Sequence, residues 1–387
     1  MLPNAVPQWR GNYLCLQMEV WMKSSRQILV VGLGFLVLMC VLAGCKQDTV
    51  PTAQQEAQPV AKEVVKDPLA TWQPQFDPSE AEFTYILSNV DHPAIEGIAV
   101  GYHIRDKVWQ RSGGRLYVDF RPMAQLGGEK DVIKKLKLGA VQGMLCSSVA
   151  AVNVADKLGV VNLPFVVDSF EKLEAFRNTP ALFDDFREAA AEQGILAVDF
   201  TGYGAYGWAT KEPVRTLEEA RRVNFRVAQA PVNIDSYKAW GLKFTVMPWP
   251  DVPQALQTGV VTGLDHTPIV CSITKKFNFA TNFTRLDYAQ GLYIHLLNKR
   301  WLDSLPADLQ VILLKTIEEE SAKARALTRD QQERELIAAQ SLGVQVFQLA
   351  PADRQKLIKL SQPVYDSWAE KIGQEYLTRV RNALGSD

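Results

Sequence analysis

Four residues within one stretch are of the types that hold a small carboxylic acid: Arg226, Gln229, Trp249 and His266. A guanidinium offers a planar fork that meets a carboxylate in two hydrogen bonds; an amide and an imidazole add directional partners, and an indole adds an apolar face. That set suits binding better than reaction. The surrounding pattern implies the frame that positions it. Val223, Phe225 and Val227 alternate as in a half-buried strand, which places Arg226 on the opposite face. Ala230-Pro231 breaks the strand, and Asn233 reads as the cap of a helix through Tyr237 and Trp240 that Gly241 ends. A second strand-turn-helix unit follows, with Phe244 to Met247 extended, Pro250-Asp251 opening a helix and Gly259 stopping it. Strands alternating with short helices imply a parallel sheet, and ligands of such sheets collect beyond the carboxyl ends of the strands. The four residues lie near such ends.

With 387 residues, 47% hydrophobic and 22% charged, the chain can bury a large core and divides most simply into two domains. Its formal charge of -1 gives no basic excess, so nothing in it argues for nucleic acid as a partner. There is no GxSxG elbow, no HExxH and no phosphate-binding loop, and four histidines are few for acid-base work. Gly202-Tyr-Gly204-Ala-Tyr-Gly207 matches GxGxxG after a strand, but Trp208 to Val214 reads extended where a dinucleotide site needs a helix N-terminus. These glycines read instead as a hinge. No cofactor is implied, and no metal-ligand spacing is present.

At the N-terminus, Lys23 and Arg26 precede the apolar run Ile28 to Ala43, which ends in Leu42-Ala43-Gly44-Cys45. A basic region, an apolar run and a small-residue processing site in that order resemble a bacterial lipoprotein signal over residues 1–44, with Met22 as a candidate start. The resemblance implies cleavage before Cys45 and lipidation of its thiol; the alternative is an uncleaved membrane anchor. Both readings place the remainder outside the cytoplasm. Residues 45–75 are rich in Gln, Ala, Pro, Lys and Glu and form a flexible tether reaching ~30 Å. Beyond the signal only Cys146 and Cys271 remain, for which buried free thiols are the expected state.

Further along, Phe83 to Leu87, Arg115 to Arg121 and Val141 to Cys146 read as strands, separated by helices over Ala94 to Gln110 and through Ile133 and Leu136. A short strand is expected to end at Leu163-Pro164-Phe165, with two helices from Ser169 to Gln193 and an apolar strand from Ile195 to Phe200. Leu292 to Leu297 is another strand. A helix from Leu305-Pro306 to Ser341 would run ~54 Å, long enough to touch both halves of the molecule. Pro351 to Leu384 reads as helical with a break near Pro363.

Several segments together resemble the DctP-type solute-binding proteins of tripartite ATP-independent periplasmic (TRAP) transporters: Ser112-Gly-Gly-Arg-Leu with Pro122, Gln125-Leu-Gly127, Leu138-Gly139, Leu163-Pro-Phe165, Phe225-Arg-Val227 and Leu256-Gln-Thr-Gly259-Val-Val-Thr-Gly263. The resemblance covers roughly residues 80 to 345. It implies an α/β, two-lobed periplasmic-binding-protein-like fold with mixed sheets, helices on both faces and a long helix spanning both lobes. Lobe I is expected at 76–203 and 292–331, and lobe II at 204–291 and 332–387. The partners implied are a small organic acid anion, the TRAP membrane permease subunits and, through the lipid anchor, a membrane. By the same resemblance Arg226 holds the ligand carboxylate, Gln229 supplies an amide beside it, Trp249 packs on the ligand, Ser147 reaches in from the first lobe, and His266 stands where asparagine is frequent. Tyr206 occupies a position where members that bind dicarboxylates or sialic acid often carry a second arginine. With Trp208 and Trp249 nearby, the expected ligand is a monocarboxylate with an apolar or aromatic body. A sensing lipoprotein of the same fold without a permease, or an exported α/β enzyme, are the alternatives.

Overall fold

Two strands of sixteen and seventeen residues hold the architecture together: β4 (Ile195–Thr210) and β8 (Asn282–Asn298). In the computed structural model, which describes residues 69 to 386, they lie side by side and antiparallel in a nine-stranded sheet. The other strands are β1 (Phe83–Ser88), β2 (Leu116–Arg121), β3 (Gly143–Ser147), β5 (Asn224–Val227), β6 (Lys243–Val246), β7 (Gly263–His266) and β9 (Gln345–Gln348). The sheet order is β2-β1-β3-β8-β4-β7-β5-β6, with β9 on the first residues of β8. One end, β2-β1-β3, is parallel and meets the later half of β8; the other, β7-β5-β6, is parallel and meets the later half of β4. The sheet is therefore mixed, with its parallel parts built from strand-helix-strand units as the periodicity requires. Sequence-derived lobe limits fall inside β4 and β8, where Gly204 and Gly291 are cross-strand partners.

The pairing of β4 with β8 slips between Ala197 and Phe200, Gly202 and Gly204, and Ala205 and Gly207. Gly204 sits at φ +97°, a backbone conformation that a side chain strains against, so the glycine run serves β-bulges within a strand. The strand runs on from these glycines through Trp208 to Thr210.

The long helix, Ala307–Ser341, crosses the sheet as expected. Its Thr316 and Glu319 meet Arg111 of α1 (Glu96–Arg111), Gln332 accepts from the Ala205 amide of β4, and Glu335 accepts from Ser272 in the helix Pro268–Ile273. Three readings of the chain are corrected. Asn233 caps nothing: the helix Pro231–Ala239 starts two residues earlier, because proline at the first helical position needs no amide partner. Leu163-Pro164-Phe165 follows a 3-10 turn, Asp156–Asn162, rather than ending a strand. The C-terminal segment breaks twice, at Ser361 and at Gly373, giving three helices. Cys146 and Cys271 are buried and unpaired. The signal, tether and Cys45 lie outside the described residues.

Candidate functional site

Residues at or just past the carboxyl ends of β1, β3, β5 and β7 line a small cavity. Its lining includes Ser147, Tyr206, Arg226, Trp249 and His266, five of the residues singled out in the sequence. Arg226 comes from β5, buried at 5% exposure. Its Nε and Nη2 both donate to the Met247 carbonyl, at 3.2 and 3.0 Å, and its Cζ lies 5.4 Å from the Trp249 ring centroid. Among the described residues no carboxylate comes within ion-pair distance of it. Burial alone pulls its pKa down, while Tyr206, Asp265, Glu129 and Asp91 act in the opposite sense. A buried guanidinium with one carbonyl partner has N–H groups left that could donate to an anion.

His266, at the end of β7, accepts from the Thr267 amide on Nδ1 at 2.9 Å. Burial, with Arg226 and Lys276 nearby, drives its pKa well below the usual value, so the ring is neutral and its Nε2 carries the proton. The ring sits 4.8 Å from Trp249 and 5.8 Å from Tyr206. Tyr206 shares a 2.6 Å hydrogen bond with the Tyr203 hydroxyl. Those two tyrosines are three apart on one strand, yet both reach the cavity because the bulges between them interrupt the two-residue alternation.

Two expected residues stand elsewhere. Gln229 is exposed and lines an adjoining cleft of about 330 Å³, which shares Glu129, Arg226, Ala228 and Trp249 with the inner cavity. Trp208 is fully buried outside the cavity lining. It packs 5.3 Å from Phe225 and gives its indole N–H to the Tyr237 hydroxyl at 2.9 Å, so its contacts are with the core.

The sequence reading missed three carboxylates and an amide. Glu129 opens α2 (Glu129–Leu138); one carboxylate oxygen accepts from the Ser147 amide at 2.7 Å and the other from the Ser147 hydroxyl at 2.8 Å. Burial raises its pKa to about 7 against those hydrogen bonds. Asp91, just after β1, accepts from the Tyr293 hydroxyl on one oxygen, at 2.6 Å. Its pKa is raised by burial, and although Trp249 and the cations Lys276 and Arg226 pull it down, no donor reaches Oδ1 with hydrogen-bond geometry. Asp265 accepts from Tyr288 on both oxygens and from the Asn233 amide, and burial lifts it to about 6. Asn233 Oδ1 is buried with no partner. A signal was present for Glu129, an acid at the first helical residue after Gly127-Gly128, but helix-dipole chemistry explains such an acid without a cavity. Among the described residues no cluster of histidine, cysteine and carboxylate side chains is placed to hold a metal ion, and no helix is long and apolar enough to cross a membrane.

The model of the family described as bacterial extracellular solute-binding protein, family 7, matches residues 91–371. The C4-dicarboxylate-binding periplasmic protein DctP of Rhodobacter capsulatus is 27% identical over 311 residues, 79% of this chain and 91% of that protein. A TRAP periplasmic solute-binding protein of Shewanella oneidensis, solved with bound succinate, superposes with a TM-score of 0.74 at 20% identity, covering 78% of this chain and 99% of that one. Another, from Desulfovibrio salexigens with bound orotic acid, gives 0.74 at 19% identity over 78% and 98% of the two chains.

Proposed function

Because the chain belongs to family 7 of the bacterial extracellular solute-binding proteins, we propose that it captures a small organic acid outside the cytoplasm, with Arg226 as the carboxylate anchor, and delivers it to a TRAP-type membrane permease. The acid is a monocarboxylate that leaves unchanged. The observation that carries this reading is the buried Arg226 guanidinium, which faces a cavity without an acidic partner. Guanidinium geometry accounts for the choice of residue, since its fork donates to both oxygens of one carboxylate and lysine cannot copy that. Tyr206 supports one carboxylate rather than two: its hydroxyl is hydrogen-bonded to Tyr203 and burial raises its pKa, so it brings no second positive charge.

On the same reading, the halves of the sheet are the two lobes, at 76–203 with 292–331 and at 204–291 with 332–387, and the lobes close over the ligand. Gly204 lies opposite Gly291 on the two crossing strands, which supports a change of lobe at that level. Cys45 carries the lipid that ties the body to a membrane. Calorimetric titration tests the anchor. A micromolar ligand corresponds to about -8 kcal/mol, and loss of the partner of a buried carboxylate removes roughly 3 to 5 kcal/mol of it. Arg226→Ala is expected to abolish measurable binding and Arg226→Lys to leave it absent; unchanged affinity in Arg226→Ala refutes the assignment. Recovery of the ligand unaltered after prolonged incubation separates binding from turnover.

A further inference from the structure

The cavity lining carries more acidic groups than cationic ones. Three carboxylates, Asp91, Glu129 and Asp265, line it against one guanidinium, Arg226. Two of its buried oxygens, Asp91 Oδ1 and Asn233 Oδ1, have no donor. We propose that the ligand is a zwitterion, with its carboxylate on Arg226 and a cationic, N–H-bearing nitrogen against the unpaired oxygens of Asp91 and Asn233. This inference rests on the assignment of Arg226 as anchor.

Three arguments favour a charged nitrogen over other second groups. A second carboxylate would add to the existing excess in a site that water scarcely screens. A hydroxyl has one hydrogen to donate, so it would satisfy only one of the two acceptors and leave the charge uncompensated. A metal ion is disfavoured because the carboxylates are spread around the wall and do not form a ligating cluster. Lys276 does not take the role: its ammonium donates to the Thr274 carbonyl and sits 4.7 Å from the Trp249 ring centroid, outside the lining. His266 is neutral and donates only through Nε2. Burial raises the pKa of all three carboxylates, Glu129 to about 7 and Asp265 to about 6, so Glu129 and Asp265 take up protons as the pH falls through about 7 and about 6. An arriving ammonium displaces those protons, whereas a plain anion draws more in.

The test uses amino acids, hydroxy acids and dicarboxylic acids matched by carbon skeleton from three to eight carbons, screened by thermal shift and titrated by calorimetry at pH 6.5 in two buffers of different ionisation enthalpy. The expected result is an amino acid bound roughly tenfold or more tightly than its hydroxy and dicarboxylic partners, as one charged hydrogen bond requires, with proton release on binding. Asp91→Asn is expected to reduce that preference by a similar factor while Arg226→Ala removes binding of every acid. A hydroxy or dicarboxylic partner binding as tightly as the amino acid, or proton uptake by the tightest ligand, overturns the inference and leaves Arg226 as anchor untouched. Equal binding by wild type and Arg226→Ala overturns the anchor, and the inference with it. The proton balance is read on the wild-type protein and does not depend on whether Asp91→Asn folds.

Discussion

Two buried arginines in one molecule contrast a cation whose counter-charges the chain supplies with one that it leaves without an acidic partner. Arg325, on the long helix, donates to Asp199 at 2.8 Å, to Glu174 at 3.0 Å and to the Phe200 carbonyl at 2.7 Å. Asp199 is 1% exposed and also accepts a two-bond contact from Arg177, at 2.8 and 3.1 Å. This network fastens the helix to β4 and has few donors to spare. Arg226 is buried just as deeply, yet it spends two donors on a single carbonyl and meets no carboxylate. Burial and charge are the same in both places; what differs is whether the chain itself supplies the counter-charge. A protein that leaves a buried cation incomplete gives up stability for a site.

Exchanging each arginine for methionine breaks the comparison most directly. Arg325→Met strands Asp199 with a single cation and is expected to lower unfolding stability by about 3 kcal/mol, with ligand affinity of the folded protein unchanged. Arg226→Met is expected to do the reverse: no loss of stability in ligand-free protein, by denaturant titration, and no binding. Similar destabilisation in both variants would show Arg226 to be structural after all.

A smaller effect is expected from Gly291→Ala. Its added Cβ would lie 2.2 Å from the Tyr203 ring, which must move, and overpacking of this kind removes roughly 1 to 3 kcal/mol. Because Tyr203 lines the cavity, affinity should fall with stability, whereas Arg325→Met separates the two.

Glu129 sharpens the comparison through pH. Its folded pKa, about 7, lies above the ordinary 4.5, so the folded state holds the proton more tightly than the unfolded chain. Its contribution is fully present below pH 4.5 and is lost as pH rises through about 7. Denaturation curves from pH 4.5 to 8 should therefore show Glu129→Gln gaining on wild type by on the order of 1 kcal/mol, the half-buried position moderating the size. A constant difference across that range would show that the carboxylate is not held protonated. The smallest effect belongs to Trp208→Phe. It removes the donor to Tyr237 and should lower stability by about 1 kcal/mol without changing affinity; a loss of affinity at unchanged stability would return Trp208 to the ligand's side.

Much of the frame was legible because its causes are local. Alternation over Val223 to Val227, proline and glycine at element ends, and the long apolar spacing after Pro306 set strands, turns and helix length among near neighbours in the chain. Arg226 was legible as well, since strand parity and the nearby turn fix which end and which face it occupies. The rest of the cavity was decided only by the fold. Asp91, Glu129, Asn233 and Asp265 come from the turn after β1, the start of α2, the helix after β5, and β7, and no local pattern reports that four separate segments meet at one place. Even within β4 the sequence misleads: the bulges at its glycines turn Tyr203 and Tyr206 toward the cavity together, while Trp208 goes to the core. Period and turn chemistry act over a few residues; the charge balance of a buried site is a sum over the whole tertiary structure.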